Sequence, residues 1–157
     1  MVSVLTLDEL LGKTISTFVE TLKIKKASIF LFDEEKKVYT MKASYGLDEE
    51  KGKIKINEQD ALLNYFLEKR DVAIREDIER YPSTKETREM IKLLKDMESE
   101  IAIPFMENDK IVGFCNLSAK GDRSMYSHED IELFLSLGRQ AAIAIKNALL
   151  IEKIKES

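Results

Sequence analysis

The sequence has few of the residues that most often carry metal, disulfide or nucleophilic chemistry. Its 157 residues include one cysteine, Cys115, and one histidine, His128. A single cysteine excludes a disulfide within the chain and favours a reducing compartment. Because tetrahedral zinc sites need several cysteine and histidine ligands, the composition also argues against zinc. We therefore expect no metal site in this protein.

Hydrophobic runs and basic clusters are short as well. No segment approaches the roughly 20 consecutive apolar residues of a membrane span, and the amino terminus lacks the basic start of a signal peptide. The formal net charge is −4, and the largest basic cluster is Lys23, Lys25 and Lys26, which argues against nucleic-acid binding. These features predict a soluble cytoplasmic protein whose partners include neither a membrane nor a nucleic acid.

No catalytic constellation is visible in the sequence. It contains no P-loop, no H-E-x-x-H zinc motif and no G-x-S-x-G nucleophile motif. Cys115 lies within an apolar segment, where a cysteine is usually a small buried hydrophobe; a pocket-lining or oxidant-sensing cysteine is the alternative. We predict that the chain is not an enzyme and has no catalytic residues.

The strongest positive signal is a long helix at residues 127–155. Ser127 and Asp130 have the spacing of a capping box, and no proline interrupts the segment that follows. Apolar residues recur at three- and four-residue intervals along one wide face, which is rich in alanine. This pattern predicts a helix whose wide apolar face packs on the core of its own domain.

A second, narrower apolar seam interrupts the polar face of this helix. Ile143 and Leu150 are seven residues apart, and together with Gln140, Asn147 and Ile154 they alternate at spacings of three and four. Such heptad spacing is typical of helices that pair, and polar residues within a seam fix its register. The seam predicts a homodimer. The helical register also continues to Ile154, as expected for a piece of a longer protein.

The remaining pattern predicts a single α+β domain spanning residues 1–157. An amphipathic helix is expected at residues 1–22, and short turns join the clear strand pairs, which favours a mostly antiparallel sheet. Inner helices are expected to begin at Gln59 and Ser83, with residues 76–82 as a connector. The predicted strands cover residues 27–32, 38–44, 53–57, 71–75, 100–106 and 110–118.

Two segments in the middle of the chain allow more than one interpretation. The charged stretch from Arg75 to Arg80 is either a solvated surface cluster or the roof of a cavity that presents Arg75 to an acidic ligand. Met90, Leu94 and Met97, at helical spacing, are either core residues or the adaptable wall of a pocket. Both interpretations stay open at the level of sequence.

Four segments resemble a known family, in the correct order along the chain. They are ASIFLFD at 27–33, ASYGL at 43–47, IAIPF and KIVGFCNL within 101–117, and the helix motif from Tyr126 to Leu150. These segments resemble the GAF domain, the small-molecule sensor module of bacterial signalling proteins and cyclic-nucleotide phosphodiesterases. The resemblance covers nearly the whole chain.

The resemblance implies a particular architecture. The fold would be GAF-like, related to PAS domains, with a six-stranded antiparallel sheet. The terminal helices would lie on one face of the sheet, and a ligand pocket would lie under the middle helices on the other. The resemblance also implies a homodimer through the helices at 1–22 and 127–155, and a covalently linked output domain such as a histidine kinase or a transcription activator.

The resemblance further implies a set of site residues. A small-molecule ligand would contact Phe30, Arg75, Asp77, Ile78, Tyr81, Met90, Leu94, Met97, Ile103, Phe105 and Cys115. The dimer interface would include Leu11, Phe18, Ile143, Asn147, Leu150 and Ile154.

Departures from the family's patterns narrow the choice of ligand. The N-K-x(n)-F-x(3)-D-E pattern associated with cyclic nucleotides is not discernible, and a bilin would need a differently placed cysteine and a histidine beside it. The polar neighbours of His128 disfavour haem, and one cysteine is too few for methionine-sulfoxide reduction. The cofactor, if there is one, is unknown.

Three functions follow from the sequence. The first is a ligand-binding sensory domain that passes a signal through its terminal helices to an output domain outside this chain. The second is a dimerisation module without a ligand, its cavity filled by side chains such as Met90, Leu94, Met97 and Phe105. The third is a redox sensor or enzyme that depends on Cys115.

Overall fold

The computed structural model describes residues 5–120 and 126–156. In chain order the elements are α1 (Leu7–Leu22), β1 (Ala27–Asp33), β2 (Val38–Tyr45), a 3-10 turn (Glu49–Lys53), β3 (Lys55–Asn57), α2 (Ala61–Lys69), β4 (Ala73–Ile74), α3 (Arg75–Glu79), α4 (Lys85–Asp96), β5 (Ile101–Glu107), β6 (Lys110–Leu117) and α5 (His128–Glu156).

The strands form one six-stranded sheet in the order β3-β2-β1-β6-β5-β4, and every neighbouring pair is antiparallel. Short turns close the two hairpins. At the β1–β2 turn the Asp33 carboxylate accepts hydrogen bonds from the N–H groups of Glu35 and Lys36, and Lys37 adopts a left-handed conformation with φ +59°. The predicted α+β class and antiparallel sheet are confirmed.

Helices cover both faces of the sheet, and we name the faces after them. On the terminal-helix face α1 and α5 pack on one hydrophobic cluster, and on the middle-helix face α2, α3 and α4 pack on a second cluster. The central strand β1 is buried from Ala27 to Leu31 because its side chains alternate between the two clusters.

The terminal-helix face is closely packed. The rings of Phe18 on α1 and Phe134 on α5 meet edge to face with centroids 5.5 Å apart. At Gly138 a Cβ atom would stand 2.7 Å from the Pro104 carbonyl oxygen, so α5 approaches the backbone of β5 as only glycine allows.

Helix α5 begins with the capping box that the sequence predicts. The Ser127 N–H donates to Asp130 Oδ2 at 2.9 Å, and the Asp130 N–H donates to Ser127 Oγ at 3.1 Å. Partial burial raises the pKa of Asp130, but the hydrogen bonds from Lys120 and Ser127 together outweigh it, so the pKa lies below its ordinary value. The reciprocal bonds satisfy N–H groups that a helix start leaves without partners.

With 29 residues α5 extends over roughly 43 Å, and its length and composition alone would allow it to cross a membrane. A core helix of a soluble domain passes the same test. Phe134, Ala142 and Ile145 are buried against the sheet, so the domain core accounts for the apolar face of α5.

The connecting segments differ in detail from the sequence-based expectations. The expected connector at residues 76–82 contains the short helix α3, which begins at Arg75. A 3-10 turn precedes β3, which is two residues shorter at its start than expected. The cap of α4 pairs Thr84 with Thr87, one residue later than the sequence motif suggests.

Candidate functional site

The middle-helix face contains five of the predicted ligand contacts. Phe30 from β1, Ile78 from α3, and Met90, Leu94 and Met97 from α4 and its C-cap are all buried in the same hydrophobic cluster. Helical spacing places Met90, Leu94 and Met97 on the side of α4 that faces the sheet. The structure therefore brings these five side chains together beneath the middle helices.

Aromatic rings fill the centre of this cluster. The rings of Phe30 and Phe114 stack with centroids 5.2 Å apart and an interplanar angle of 2°, and Phe66 and Tyr39 lie against Phe114 at 5.9 and 5.8 Å. The Tyr39 hydroxyl donates to the Ile111 carbonyl oxygen at 2.8 Å. Burial, with a smaller contribution from Glu58, raises the pKa of Tyr39 to about 12.

A buried polar group stands at the edge of the same cluster. Asn116, on β6, is 2 % exposed; its Nδ2 donates to Ser28 Oγ at 3.2 Å and lies 3.3 Å from the sulfur of Met97. Among the residues that the structure describes, Asn116 Oδ1 has no hydrogen-bond partner. The other such atom, Thr40 Oγ1, belongs to a partly exposed residue on β2. An unsatisfied buried acceptor costs about 1–3 kcal/mol, so Asn116 is an unusual feature of this core.

Neither Asn116 nor Ser28 is among the residues that sequence reasoning selected. A signal for them exists, because each is a polar residue within the apolar stretch of a strand. Strand pairing places Ser28 directly opposite Asn116. Without knowledge of that register, the sequence does not show that these two residues, 88 positions apart, are in contact.

Arg75, Asp77 and Tyr81 lie at the rim of the domain, outside the middle-helix cluster. Arg75 forms ion pairs with Glu79 at 3.1 Å and with Glu100. Tyr81 is exposed. Its neighbour Tyr65 has a raised pKa, first because Tyr65 is partly buried and second because it forms a hydrogen bond with Tyr81. The structure therefore does not bring these three predicted contacts together with Met90 and Leu94.

Two open cavities flank the middle-helix face. The first, of about 280 Å³, lies between α2 and α4 and reaches the buried side chain of Met90. The second, of about 470 Å³, includes Arg75 and is rich in lysine. We call the second cavity the basic cleft; it is lined by Lys25, Lys26, Arg75, Lys95, Glu98, Ser99, Glu100, Ser118, Ala119 and Lys120.

The outer side of α5 carries exposed apolar residues. Ile143 is 54 % exposed, Leu150 is 48 % exposed and Ile154 is 72 % exposed, with the exposed Asn147 among them. Their buried counterparts on the opposite side of the helix include Ala142 and Ala148. The structure thus separates the seam from the core side of α5, as heptad spacing predicts.

Comparison with known proteins identifies the family. A model of the GAF domain matches residues 4–146. The chain belongs to the GAF domain family. No curated protein sequence shows significant similarity to it.

Solved structures of GAF domains share this fold at low sequence identity. A GAF domain/HD domain protein from Geobacter sulfurreducens is 17% identical, with a TM-score of 0.71 over 95% of this chain and 98% of that one. The GAF domain of an Acinetobacter phosphoenolpyruvate-protein phosphotransferase is 17% identical, with a TM-score of 0.69 over 96% and 89%. Residues 122 to 287 of a methyl-accepting chemotaxis protein are 16% identical, with a TM-score of 0.70 over 92% of each chain.

Three predicted ligand contacts of this GAF domain lie on the other face of the sheet. Ile103, Phe105 and Cys115 belong to the terminal-helix cluster, and Ile103 pairs with Cys115 in the register of β5 and β6. Strand alternation sends these side chains toward α1 and α5, away from Met90 and Leu94. They are core residues and cannot line a pocket beneath the middle helices.

Two predicted dimer contacts of the GAF domain are also core residues. Leu11 and Phe18 are buried against the sheet within one protomer, and the outward positions of α1 are polar. The apolar face of α1 packs on the core of its own domain, whereas α5 exposes Ile143 and Leu150 on its outer side.

The GAF domain's single cysteine is fully buried, and burial raises the pKa of the Cys115 thiol well above its usual range. Since the thiolate is the reactive form, this environment disfavours oxidation. Across residues 5–120 and 126–156, no group of three or more histidine, cysteine, aspartate or glutamate residues could hold a metal ion.

Proposed function

We propose that this GAF domain is the sensory, regulatory part of a signal-transduction protein. A small molecule binds beneath the middle helices, and the terminal helices of a homodimer transmit the event to a covalently linked output domain outside this chain. GAF domains are generally sensory regulatory modules, and the similar structures include domains of a chemotaxis protein and of a GAF/HD protein. The domain itself acts without catalysis and works in the cytoplasm.

The observation that carries the ligand proposal is the unpartnered Asn116 Oδ1 in the middle-helix cluster. A ligand that donates an N–H or O–H group to this atom would supply the missing hydrogen bond. Met97 lies beside the amide and has an unbranched, polarizable side chain that can re-pack around a guest. We therefore infer a small, partly polar ligand with at least one hydrogen-bond donor.

The exposed seam of α5 supports the dimer. Ile143 and Leu150 leave apolar area in water that a second copy of α5 would cover, and Asn147 between them would fix the register. Ligand binding changes the output only if it favours one arrangement of the helix pair over another. The short path for such coupling runs from β6, which carries Asn116, to α5, which packs on β5 and β6.

The decisive experiment asks whether Asn116 recognises a ligand. Native mass spectrometry of the purified chain, followed by a thermal-shift screen of nucleotides, 2-oxo acids and amino acids, should find at least one compound that raises the unfolding temperature. Asn116→Leu keeps the branched shape and the number of side-chain heavy atoms without polar atoms, and it should abolish that response. Thr40→Val, which removes the other unpartnered buried atom, is the matched control and should respond like the native chain.

A ligand-free dimerisation module is the second candidate, and the aromatic packing around Phe114 favours it. It predicts a native mass equal to that of two bare chains, with no added ligand mass, and no thermal shift with any compound in the screen. Those two results together would overturn the ligand proposal while leaving the dimer proposal intact.

The redox alternative has the least support, since Cys115 is buried and protonated. It requires that oxidant alter the native chain and leave Cys115→Ser unchanged. We expect hydrogen peroxide to produce the same response, by intact mass and unfolding temperature, in both proteins.

A further inference from the structure

The basic cleft has a charge opposite to that of the protein as a whole. Five cationic side chains and two carboxylates line it, in a chain whose formal net charge is −4. Concave surfaces lined by one sign of charge concentrate the field and attract counter-ions. The local excess of positive charge is therefore a property of this cleft and not of the overall composition.

Elements distant in sequence build the cleft. Lys25 and Lys26 precede β1, Arg75 begins α3, Lys95 lies in the last turn of α4, and Lys120 follows β6. Backbone hydrogen bonds link the segments around the cleft: the Arg75 N–H donates to the Glu100 carbonyl at 2.9 Å, the Glu100 N–H donates to the Leu117 carbonyl at 2.8 Å, and the Ser118 N–H donates to the Lys26 carbonyl at 3.0 Å. The positions of the cations are thus set by the sheet and not by a mobile loop.

Internal ion pairs neutralise part of the positive charge. Lys26 Nζ lies 2.5 Å from Glu98 Oε1, Arg75 pairs with both Glu79 and Glu100, and Lys120 Nζ lies 2.6 Å from Asp130 Oδ2 in the first turn of α5. Within the described part of the chain, no carboxylate lies within 4.0 Å of the ammonium groups of Lys25 and Lys95. These two exposed lysines keep the cleft attractive to an anion when the other cations are paired.

We propose that the basic cleft binds a small molecule that carries phosphate groups. Lys25 and Lys95 supply two charges that no carboxylate of the described residues neutralises, and Arg75 keeps further N–H groups that can donate to a phosphate oxygen beside its two carboxylate partners. Two such lysines suit a ligand with two negative charges better than a single carboxylate. The cleft volume of about 470 Å³ lies within the ordinary range for small-molecule sites.

This site is separate from the ligand site at Asn116, and it stands whether or not that proposal holds. None of the residues that line the cleft belongs to the middle-helix cluster. A bound phosphate group would compete with Asp130 for Lys120, and Asp130 caps α5. Binding in the cleft therefore offers a second way for a small molecule to affect the start of the terminal helix α5.

Isothermal titration calorimetry of the full chain with inorganic pyrophosphate, at low salt, tests the proposal. The probe should bind, and added potassium chloride should weaken binding because exposed charges are screened at about 10 Å in 0.1 M salt. The double variant Lys25→Gln and Lys95→Gln should weaken the affinity by about tenfold or more, since it removes two charge-assisted contacts. Both lysines are exposed, so the variant should keep the native unfolding temperature.

The matched control has the same net charge but leaves the cleft intact. Lys13→Gln with Lys69→Gln changes two exposed lysines on α1 and α2 and should bind pyrophosphate with nearly native affinity. An equal loss in both double variants, or no heat of binding for the native chain up to millimolar pyrophosphate, would overturn the proposal. If the chain co-sediments with anionic lipid vesicles and this depends on Lys25 and Lys95, the ligand of the cleft is a lipid headgroup and not a free small molecule.

Discussion

The two faces of the sheet are built on different principles. The terminal-helix cluster combines aliphatic side chains with edge-to-face rings such as Phe18 and Phe134, and it includes close backbone contacts such as that between Gly138 and the Pro104 carbonyl. The middle-helix cluster combines stacked aromatic rings, methionines and the buried polar pair Ser28 and Asn116. The first face fixes the helix that would form a dimer, and the second contains groups that a ligand could recognise.

Among the variants that probe this comparison, the largest loss of stability is expected on the terminal-helix face, at Phe134. Phe134 is buried between Phe18 and Tyr126, so Phe134→Ala should lower the free energy of unfolding by about 3–5 kcal/mol. Its neighbour Leu133 is 48 % exposed, and Leu133→Ala should cost less than about 1 kcal/mol. Urea denaturation measures both values.

If Phe134→Ala does not fold, the graded variant Ile145→Val serves instead. Ile145 is fully buried on the same face, and removal of one methylene should cost about 0.5–1.5 kcal/mol. Equal effects of Phe134→Ala and Leu133→Ala would mean that α5 is not anchored as described.

On the middle-helix face, a buried tyrosine should make stability depend on alkaline pH. Tyr39 has its pKa raised from 10.0 to about 12, mainly by burial. Because the folded-state pKa lies above the unfolded one, the contribution is fully present below pH 10 and is lost as the pH rises toward 12. The free energy of unfolding should fall by roughly 2–3 kcal/mol over this pH range.

Chemical denaturation between pH 9 and pH 12 measures this slope. Tyr39→Phe should reduce this slope without abolishing it, because burial also raises the pKa of Tyr65 and of Cys115. At neutral pH the substitution should cost about 1 kcal/mol for the lost bond to the Ile111 carbonyl. Tyr45→Phe, at an exposed tyrosine, is the matched control and should keep the native slope. A native slope in Tyr39→Phe would show that the hydroxyl is not buried in solution.

Substitutions at two glycines test whether helix packing is close at α5 and open at the exposed side of α1. In Gly138→Ala the new Cβ would meet the Pro104 carbonyl at 2.7 Å, so we expect a loss of about 1–3 kcal/mol. At Gly12, in the middle of α1, nothing lies within 4 Å of the added atom. Gly12→Ala should therefore stabilise the domain by about 0.5–1 kcal/mol, and thermal unfolding compares the two.

The smallest change in fold stability is expected at the seam of α5. Ile143→Glu and Leu150→Glu should weaken dimerisation at least about tenfold, since each places a charge within the apolar seam, while the unfolding temperature of the monomer stays close to native. Sedimentation velocity over a concentration series measures the effect. Leu67→Glu alters an exposed leucine on α2 and should leave association unchanged; unchanged association in the seam variants would refute this interface.

Much of the fold could be predicted because its signals are local. The capping box at Ser127, the amphipathic pattern of α1 and the hairpin turns each depend on residues within a few positions of one another. The predictions for Ile143 and Leu150 as exposed residues succeeded for the same reason, because helical periodicity assigns faces directly.

The candidate site was harder to predict because it depends on which alternate side chains of each strand point to which face of the sheet. β5 and β6 are apolar on both faces, so their sequences do not show which residues point toward which helices. The sequence therefore predicts the wrong face for Ile103, Phe105 and Cys115, and it does not single out Asn116. Leu11 and Phe18 were placed in the dimer interface because an apolar helix face looks the same whether it meets a core or a partner.

By itself the sequence determined the family, the order of the elements and the two-sided character of the terminal helix. These follow from periodicity and caps, which act between near neighbours. Only the tertiary structure decided which side chains share a face, that Ser28 meets Asn116, and that Lys25, Arg75, Lys95 and Lys120 surround one cleft. Those relations arise from sheet register and from the packing of distant segments, and no local pattern encodes them.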